Sequence, residues 1–250
     1  MPPACSPDQD DDPTPFNVFV TGFGPFHTYR DNPSWLAVEP LTDHLMTRSP
    51  FDDDDEDTPA VRTRPIKITT QCITVTYQHA QHVVQHIHSS TQQHYDLVLH
   101  VGVGLSGAIR LEQRARRLGY MKPDINNQYA PQSSSSPQHR GFIDKHSQQL
   151  GDQLETTINL THLINTCINQ ASPSSSGLSH QTLQQSNDAG LYLCEYTFYA
   201  SQRSARLNKS TTRVQFVHVP PLGPNEPFTK QQLTKSIQYL IWTILNPSEG

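Results

Sequence analysis

The feature that most constrains this chain is a nearly continuous apolar run at residues 96–103, DLVLHVGV. Such a run is typical of a strand that is buried on both of its faces, and it leads into a glycine-containing loop. A second strand pattern, RVQFVHV, stands at residues 213–219. Strands buried on both faces occur mainly in parallel sheets that helices cover on each side, so these runs predict an α/β protein.

Strand and helix patterns alternate along much of the remaining chain. Residues 17–20 form a short apolar run before a helical pattern, and residues 66–77 are rich in Ile, Thr and Val. Apolar residues then share one helical face over residues 79–88, and an amphipathic helix over residues 228–245 closes the pattern. The sequence therefore predicts a three-layer α/β/α fold around a mostly parallel, twisted sheet. In such sheets, sites lie beyond the carboxyl ends of the strands.

Polar stretches interrupt this pattern and have the composition of solvated chain. They are the acidic, proline-rich residues 1–15 and residues 50–59, 126–139 and 171–185. The chain of 250 residues has a length that suits one domain. We therefore expect a tail at residues 1–15 and a single domain over residues 16–250, with the other polar stretches as insertions.

Charge and cysteine usage exclude several classes of function. A formal net charge of -5 with no compensating Lys/Arg run argues against a nucleic-acid partner. Residues 1–15 lack the basic start and apolar stretch of a secretory signal, and the apolar run at residues 239–245 is too short to span a bilayer. The four cysteines lie far apart, with no CxxC motif and no Cys/His cluster that would bind zinc. We therefore expect a soluble cytoplasmic protein without a metal ion or a membrane partner.

Three residues have the chemistry of nucleophilic catalysis. Cys194 follows turn residues and begins an apolar stretch with helical potential, and a helix start favours a thiolate. His218 lies near the end of an apolar strand, where an imidazole could accept the thiol proton. Glu112 follows the strand and loop of residues 101–107, and a carboxylate can orient an imidazole. Taken alone, each residue also fits an ordinary role: a core cysteine, a core histidine and a salt-bridged surface glutamate.

Four ordered motifs resemble those of the pyroglutamyl peptidase I family. They are FVTGFGPF at residues 19–26 with NPSW at residues 32–35, LE at residues 111–112, DAG with YLC and FY within residues 188–199, and FVHVP at residues 216–220. Three of the motifs carry the three candidate residues. Together they anchor the chain from about residue 16 to residue 245, and the polar stretches are left over as insertions.

The resemblance implies a cysteine peptidase that removes an N-terminal pyroglutamyl group from peptides. In this interpretation Cys194 is the nucleophile, His218 is the general base and acid, and Glu112 orients the imidazole. A pyroglutamyl ring is flat and has no basic amine, so apolar walls and a few backbone groups are enough to select it. No cofactor is implied. The substrate-binding residues that the resemblance implies are Phe23, Phe26, Asn32 and Val103.

Two departures from the family pattern concern the neighbourhood of these motifs. His27 and Thr28 stand where bacterial members often have small glycines, and we expect them to narrow or rigidify the pocket entrance. Residues 113–120, QRARRLGY, lack the bacterial pattern, so no residue of that stretch is assigned a role.

Two other functions remain open from the sequence. One is that of another cysteine amidase on a similar scaffold, and the other is that of a catalytically silent protein that binds pyroglutamyl peptides. The sequence makes no prediction about the oligomeric state.

Overall fold

The structure is a computed structural model, and it describes residues 14–52, 63–89, 93–133, 136–172 and 176–247. Most of the predicted tail, residues 1–13, lies outside the described residues. The same holds for residues 53–57 of the acidic run that begins at Asp52.

Strands and helices alternate along the described residues. The strands are β1 (Phe16–Phe23), β2 (Leu45–Met46), β3 (Ile66–Ile73), β4 (Leu97–Val103), β5 (Ile109–Glu112), β6 (Arg114–Arg116), β7 (Gln132–Ser133), β8 (Ser136–Arg140), β9 (Gln153–Glu155), β10 (Leu183–Ser186) and β11 (Arg213–Val219). The α-helices are α1 (Pro33–Val38), α2 (Tyr77–Ser89), α3 (Lys145–Leu150), α4 (Leu160–Gln170), α5 (Leu193–Leu207) and α6 (Lys230–Leu245).

The main sheet of the described residues has the strand order β10-β5-β11-β4-β1-β3-β2. Strand β4 pairs in parallel with β1 and β11, and the pairs β1/β3 and β5/β10 are also parallel. Strands β5 and β11 are antiparallel, as are β2 and β3. The prediction of a mostly parallel sheet is therefore confirmed.

Strand β4 shows why its sequence is apolar at almost every position. Leu97, Leu99 and Val101 pack into one core cluster, which includes residues of α1, α4 and α6. Val98 packs on the opposite face, in a second cluster with residues of α2 and α5. The sheet thus lies between two helical layers, which confirms the predicted α/β/α arrangement. In the described part of the chain, no helix is long and apolar enough to cross a membrane.

Side-chain caps explain where several helices begin. Asn32 accepts a hydrogen bond from the Ser34 backbone N–H at the start of α1. Thr229 caps α6 through a capping box. Helix α5 is different, because its N-cap residue Tyr192 makes no side-chain capping hydrogen bond.

Residues 171–185 overlap a strand of the main sheet. Their last residues enter β10, which pairs with β5 from Leu183 opposite Ile109 to Ser186 opposite Glu112. An edge strand needs backbone pairing and only one apolar anchor, and Leu183 is buried in the core. The interpretation of residues 171–185 as an insertion stays a prediction. Residues 126–139 likewise contain a buried residue, Ala130, and lead into the β7/β8 pair.

Candidate active site

A cavity of about 410 Å³ lies at the carboxyl ends of β1 and β4, next to the start of α5. Its walls are largely apolar and include Phe23, Phe26 and Tyr192. Glu112, Cys194 and His218 line the same cavity. The predicted position beyond the ends of the parallel strands is therefore confirmed.

Cys194 is the second residue of α5, so the predicted position of its sulfur near a helix start is confirmed. The first turn of a helix has backbone N–H groups that lack intrahelical acceptors, and their partial positive charge favours an anionic sulfur. Cys194 is partly buried. Its sulfur is therefore accessible from the cavity and lies where a negative charge is stabilised.

His218 connects the sulfur to a carboxylate. Its Nδ1 lies 2.8 Å from Glu112 Oε1, and its side chain also interacts with the Cys194 side chain. Burial alone would lower the pKa of His218. The charges and hydrogen bonds of Cys194 and Glu112 outweigh this burial and raise that pKa to about 10.

Glu112 lies at the end of β5, and the antiparallel pairing with β11 places it opposite Phe216. The carboxylate is buried, with 1% of the residue exposed. Its Oε1 accepts from His218, whereas Oε2 has no hydrogen-bond partner among the described residues. A buried carboxylate needs a counter-charge, and a protonated His218 is the cation in contact with it.

Two glycines, one near the end of β4 and one directly after it, leave space for the Cys194 and His218 side chains. A Cβ atom at Gly102 would lie 2.9 Å from Cys194 Sγ and 2.9 Å from a ring carbon of Phe216. A Cβ atom at Gly104 would lie 2.7 Å from His218 Cβ. The nucleophile and the histidine can therefore approach the sheet only because there is no side chain at either position.

Aromatic rings form the apolar wall of the cavity. The ring of Phe23 lies 6.4 Å from that of Phe216, and the ring of Phe26 lies 5.5 Å from that of Tyr192, both between centroids. Asn32 also lines the cavity. Its Nδ2 donates to the Gly24 carbonyl, and its Oδ1 accepts from Ser34. Asn32 thus holds the loop between β1 and α1 that carries the aromatic wall.

His27 lies at the first departure from the family pattern. It is exposed, its backbone has a φ of 50°, and its ring centroid lies 3.9 Å from that of Phe26. This left-handed conformation is one that glycine adopts most easily. His27 packs on Phe26 and lines a neighbouring cavity with Lys122 and Ile125. This contact favours a rigidifying effect on the aromatic wall.

The sequence-predicted site residues all line this one cavity. The structure therefore brings together residues from β1, β4, β5, β11 and α5, and their individual roles remain predictions. Sequence reasoning gave no role to Arg116 or Glu195. Glu195 follows Cys194 directly, and an acidic residue in a first helical turn is usually interpreted as a dipole effect. Arg116 lies in the stretch that departs from the family, so no sequence signal indicated it.

Within the described residues, no group of three or more His, Cys, Asp and Glu side chains could hold a metal ion.

Comparisons with known proteins identify relatives along almost the whole chain. Human pyroglutamyl-peptidase 1 is 29% identical over 247 residues, which cover 93% of this chain and 93% of the human protein. The rat pyroglutamyl-peptidase 1 is 28% identical over 243 residues, covering 93% and 91% of the two chains. The resemblance to the pyroglutamyl peptidase I family is therefore confirmed along 93% of the chain. No family model matches the chain.

Solved structures of pyroglutamyl peptidases share the fold. Pyroglutamyl peptidase I from Bacillus amyloliquefaciens superposes with a TM-score of 0.67 at 19% identity, covering 92% of this chain and 95% of that chain. A mutant pyrrolidone carboxyl peptidase from Pyrococcus furiosus superposes with a TM-score of 0.68 at 18% identity, covering 94% and 100%. At these identities the likeness establishes the fold.

Proposed function

We propose that this protein hydrolyses the bond that follows an N-terminal pyroglutamyl residue, with Cys194 as nucleophile, His218 as base and acid, and Glu112 as the group that orients the imidazole. The observation that carries the proposal is that Cys194, His218 and Glu112 line the wall of one apolar cavity, where His218 interacts with Cys194 and lies 2.8 Å from the Glu112 carboxylate. The similarity to human pyroglutamyl-peptidase 1 supports the choice of peptides with an N-terminal pyroglutamate as substrates.

The protonated state of His218 sets the start of the reaction. Because Cys194 and Glu112 outweigh burial and raise the pKa of His218 to about 10, the imidazole is protonated at neutral pH. A cationic ring beside a sulfur stabilises the sulfur as a thiolate. The proposed attacking species is the Cys194 thiolate, with the His218 imidazolium between it and the Glu112 carboxylate.

The reaction then follows in two steps. The sulfur of Cys194 forms a bond to the pyroglutamyl carbonyl carbon, the scissile C–N bond breaks, and His218 gives its proton to the leaving amine. A water molecule next attacks the thioester carbonyl carbon, and the neutral His218 takes a proton from that water. The C–S bond breaks, pyroglutamate leaves, and the ion pair of Cys194 and His218 is restored.

The shape and polarity of the cavity support selection of a neutral ring. Phe23 and Phe26 supply apolar walls, and Val103 lies at the end of β4 on the cavity side. A pyroglutamyl residue offers one N–H, one ring carbonyl and a flat apolar surface, so no charged partner is needed. Asn32 contributes to binding by holding the loop through Gly24.

The test is hydrolysis by the purified protein of pyroglutamyl-, prolyl- and glutaminyl-aminomethylcoumarin. We expect turnover of the pyroglutamyl amide and little turnover of the other two. A preference for the glutaminyl amide would instead indicate another cysteine amidase. Binding of a pyroglutamyl peptide without any turnover would indicate a silent binding protein.

A cytoplasmic location is part of the same proposal. Cys72, Cys167 and Cys194 are free thiols, and a thiol nucleophile is maintained in a reducing compartment. We expect no nucleic-acid or membrane partner. Fractionation of cells that express the tagged full-length chain checks the location, and recovery with secreted or membrane fractions would contradict it.

A further inference from the structure

An ion pair with a buried carboxylate lies next to the proposed nucleophile. Glu195 is the residue after Cys194, and its side chain is 1% exposed. Its Oε1 accepts hydrogen bonds from Arg116 Nε at 2.7 Å and from the Arg116 backbone N–H at 2.8 Å. Its Oε2 accepts from Arg116 Nη2 at 2.7 Å. The hydrogen bond with Glu195 is the largest cause that raises the pKa of Arg116, so the guanidinium stays charged.

The same carboxylate also holds the turn that precedes α5. Glu195 Oε2 accepts from the Leu191 backbone N–H at 2.8 Å. Leu191 has a φ of 48° and Gly190 a φ of 95°, so the turn contains two consecutive left-handed residues. A non-glycine residue in this conformation is strained and persists only where its surroundings hold it. Glu195 supplies that hold at Leu191.

Arg116 reaches the other end of the turn. Its Nη2 contacts Asp188 Oδ1, and the same oxygen accepts from the Gly190 backbone N–H at 3.2 Å. The hydrogen bond with Arg116 is the largest cause that lowers the pKa of Asp188, which keeps this carboxylate ionised. The guanidinium therefore joins the start of the turn to the first turn of α5.

The start of α5 needs this external support because it lacks a side-chain cap. Asn32, Asp144, Asn159 and Thr229 cap α1, α3, α4 and α6 through their side chains, whereas Tyr192 does not cap α5 in the described structure. A capping oxygen would occupy a backbone N–H at the second or third helical position. Its absence leaves the Cys194 backbone N–H available next to the carbon that Cys194 attacks.

We infer that Arg116 and Glu195 form a positioning pair that holds the turn from Asp188 to Tyr192, so that the Cys194 backbone N–H stabilises the oxyanion of the reaction. The inference rests on the proposed function and deepens it. A negative charge develops on the substrate carbonyl oxygen only as the sulfur bonds to carbon. We therefore expect the pair to act more on the tetrahedral state than on the binding of the pyroglutamyl ring, because Phe23 and Phe26 also form the walls of the ring pocket.

The test compares Glu195→Gln with wild type, because the amide keeps the size of the side chain and removes its charge. We expect kcat for pyroglutamyl-aminomethylcoumarin to fall about 10- to 100-fold, the range typical of a misplaced catalytic geometry. The inhibition constant of a pyroglutamyl aldehyde, whose adduct with Cys194 carries a tetrahedral oxygen, should rise by a similar factor. 2-Pyrrolidone has the lactam ring but lacks the carbonyl group that Cys194 attacks. KM and the inhibition constant of 2-pyrrolidone should therefore change less than about threefold.

A matched control removes the neighbouring ion pair. Asp152 pairs with Arg117 at 2.6 Å. Asp152→Asn should leave every one of these constants unchanged. Arg116→Lys keeps the positive charge without the planar two-point contact, and we expect it to reproduce much of the loss in kcat. If Glu195→Gln does not fold, the same constants are measured with Arg116→Lys.

Two kinetic results would overturn the inference. One is a kcat within about threefold of wild type in both folded variants, given the loss expected from a disturbed oxyanion site. The other is a rise in the inhibition constant of 2-pyrrolidone as large as that for the aldehyde, because it would indicate damage to the ring pocket.

Hydrogen exchange over residues 188–194 measures the stability of the turn independently of turnover. Exchange should be faster in the variants, and unchanged exchange would contradict the inference. If exchange is faster in the variants but the wild-type protein cleaves no pyroglutamyl amide, only the proposed function is refuted.

Discussion

His218 and His100 are two buried histidines on neighbouring strands, and their charges differ. The Phe216 ring stands 4.9 Å from that of His218 and 6.3 Å from that of His100, measured between centroids. Burial lowers the pKa of both histidines. For His100, burial and the nearby His88 lower the pKa to about 3. For His218, the Cys194 and Glu112 side chains outweigh burial and raise it to about 10.

The polar partners explain this difference. His100 Nδ1 lies 2.8 Å from Thr21 Oγ1, and a hydroxyl serves a neutral ring as donor or acceptor. His218 Nδ1 faces a buried carboxylate, which favours the protonated ring. Burial raises the free-energy cost of a protonated ring at both positions. The charge of the neighbouring groups decides whether each histidine is protonated.

The largest expected effect comes from removing the sulfur partner of His218. Cys194→Ser should lower kcat by at least about 10³-fold, because a hydroxyl is a much weaker nucleophile than a thiolate at neutral pH. The fold and the binding of a pyroglutamyl peptide should be retained. Steady-state kinetics and calorimetric binding check both expectations. Cys72→Ser is the matched control and should keep full activity; comparable turnover by Cys194→Ser would remove Cys194 from the reaction.

Removing the carboxylate partner should have the next largest effect. Glu112→Gln should lower kcat by about 10²- to 10⁴-fold, since the amide no longer selects the productive ring tautomer. Because Glu112 raises the pKa of His218, the titration of that ring should move to lower pH, which NMR of labelled protein measures. Glu155→Gln removes an exposed carboxylate and should change neither quantity. An unchanged titration of His218 would contradict the account of its charge.

The stability of the neutral His100 predicts an acid-sensitive fold. In the unfolded chain this ring binds a proton below about pH 6.5, whereas the folded ring does so only near 3. Its contribution is therefore fully present above pH 6.5 and is lost as the pH falls, by about 1.4 kcal/mol per pH unit. Denaturant unfolding of His100→Gln at several pH values should show a shallower loss on acidification than wild type. The exposed His86→Gln should retain the wild-type slope, and an unaltered slope in His100→Gln would assign the acid sensitivity to other groups.

The smallest expected effect concerns the hydroxyl that serves His100. Thr21→Val should lower the free energy of unfolding by about 1–3 kcal/mol, because it leaves the buried Nδ1 unpaired. Activity should be unchanged, since Thr21 lies outside the group of Cys194, His218 and Glu112. Thr21→Ser keeps the hydroxyl and should lose less stability. Equal losses in the two variants would show that packing of the methyl group, and not the hydrogen bond, matters at this position.

The sequence alone was enough to predict the fold class and the residues of the site. The apolar run around β4 indicates a strand buried on both faces, because each of its two faces must meet a core. The ordered motifs around Cys194, His218 and Glu112 indicate one kind of chemistry before any distance is known. Periodicity and motif order are local properties of a chain, so they can be read without coordinates.

Only the tertiary structure decided how remote groups meet and which charges they carry. Glu112 and His218 are separated by 106 positions, and the β5/β11 pairing brings them to 2.8 Å. The edge strand β10 depends on an open neighbour in the sheet, and its polar sequence does not reveal it. The support of Arg116 and Glu195 for the nucleophile depends on a turn that no periodicity marks. Burial and distance between remote residues arise from packing, and these two quantities determine the electrostatics of the site.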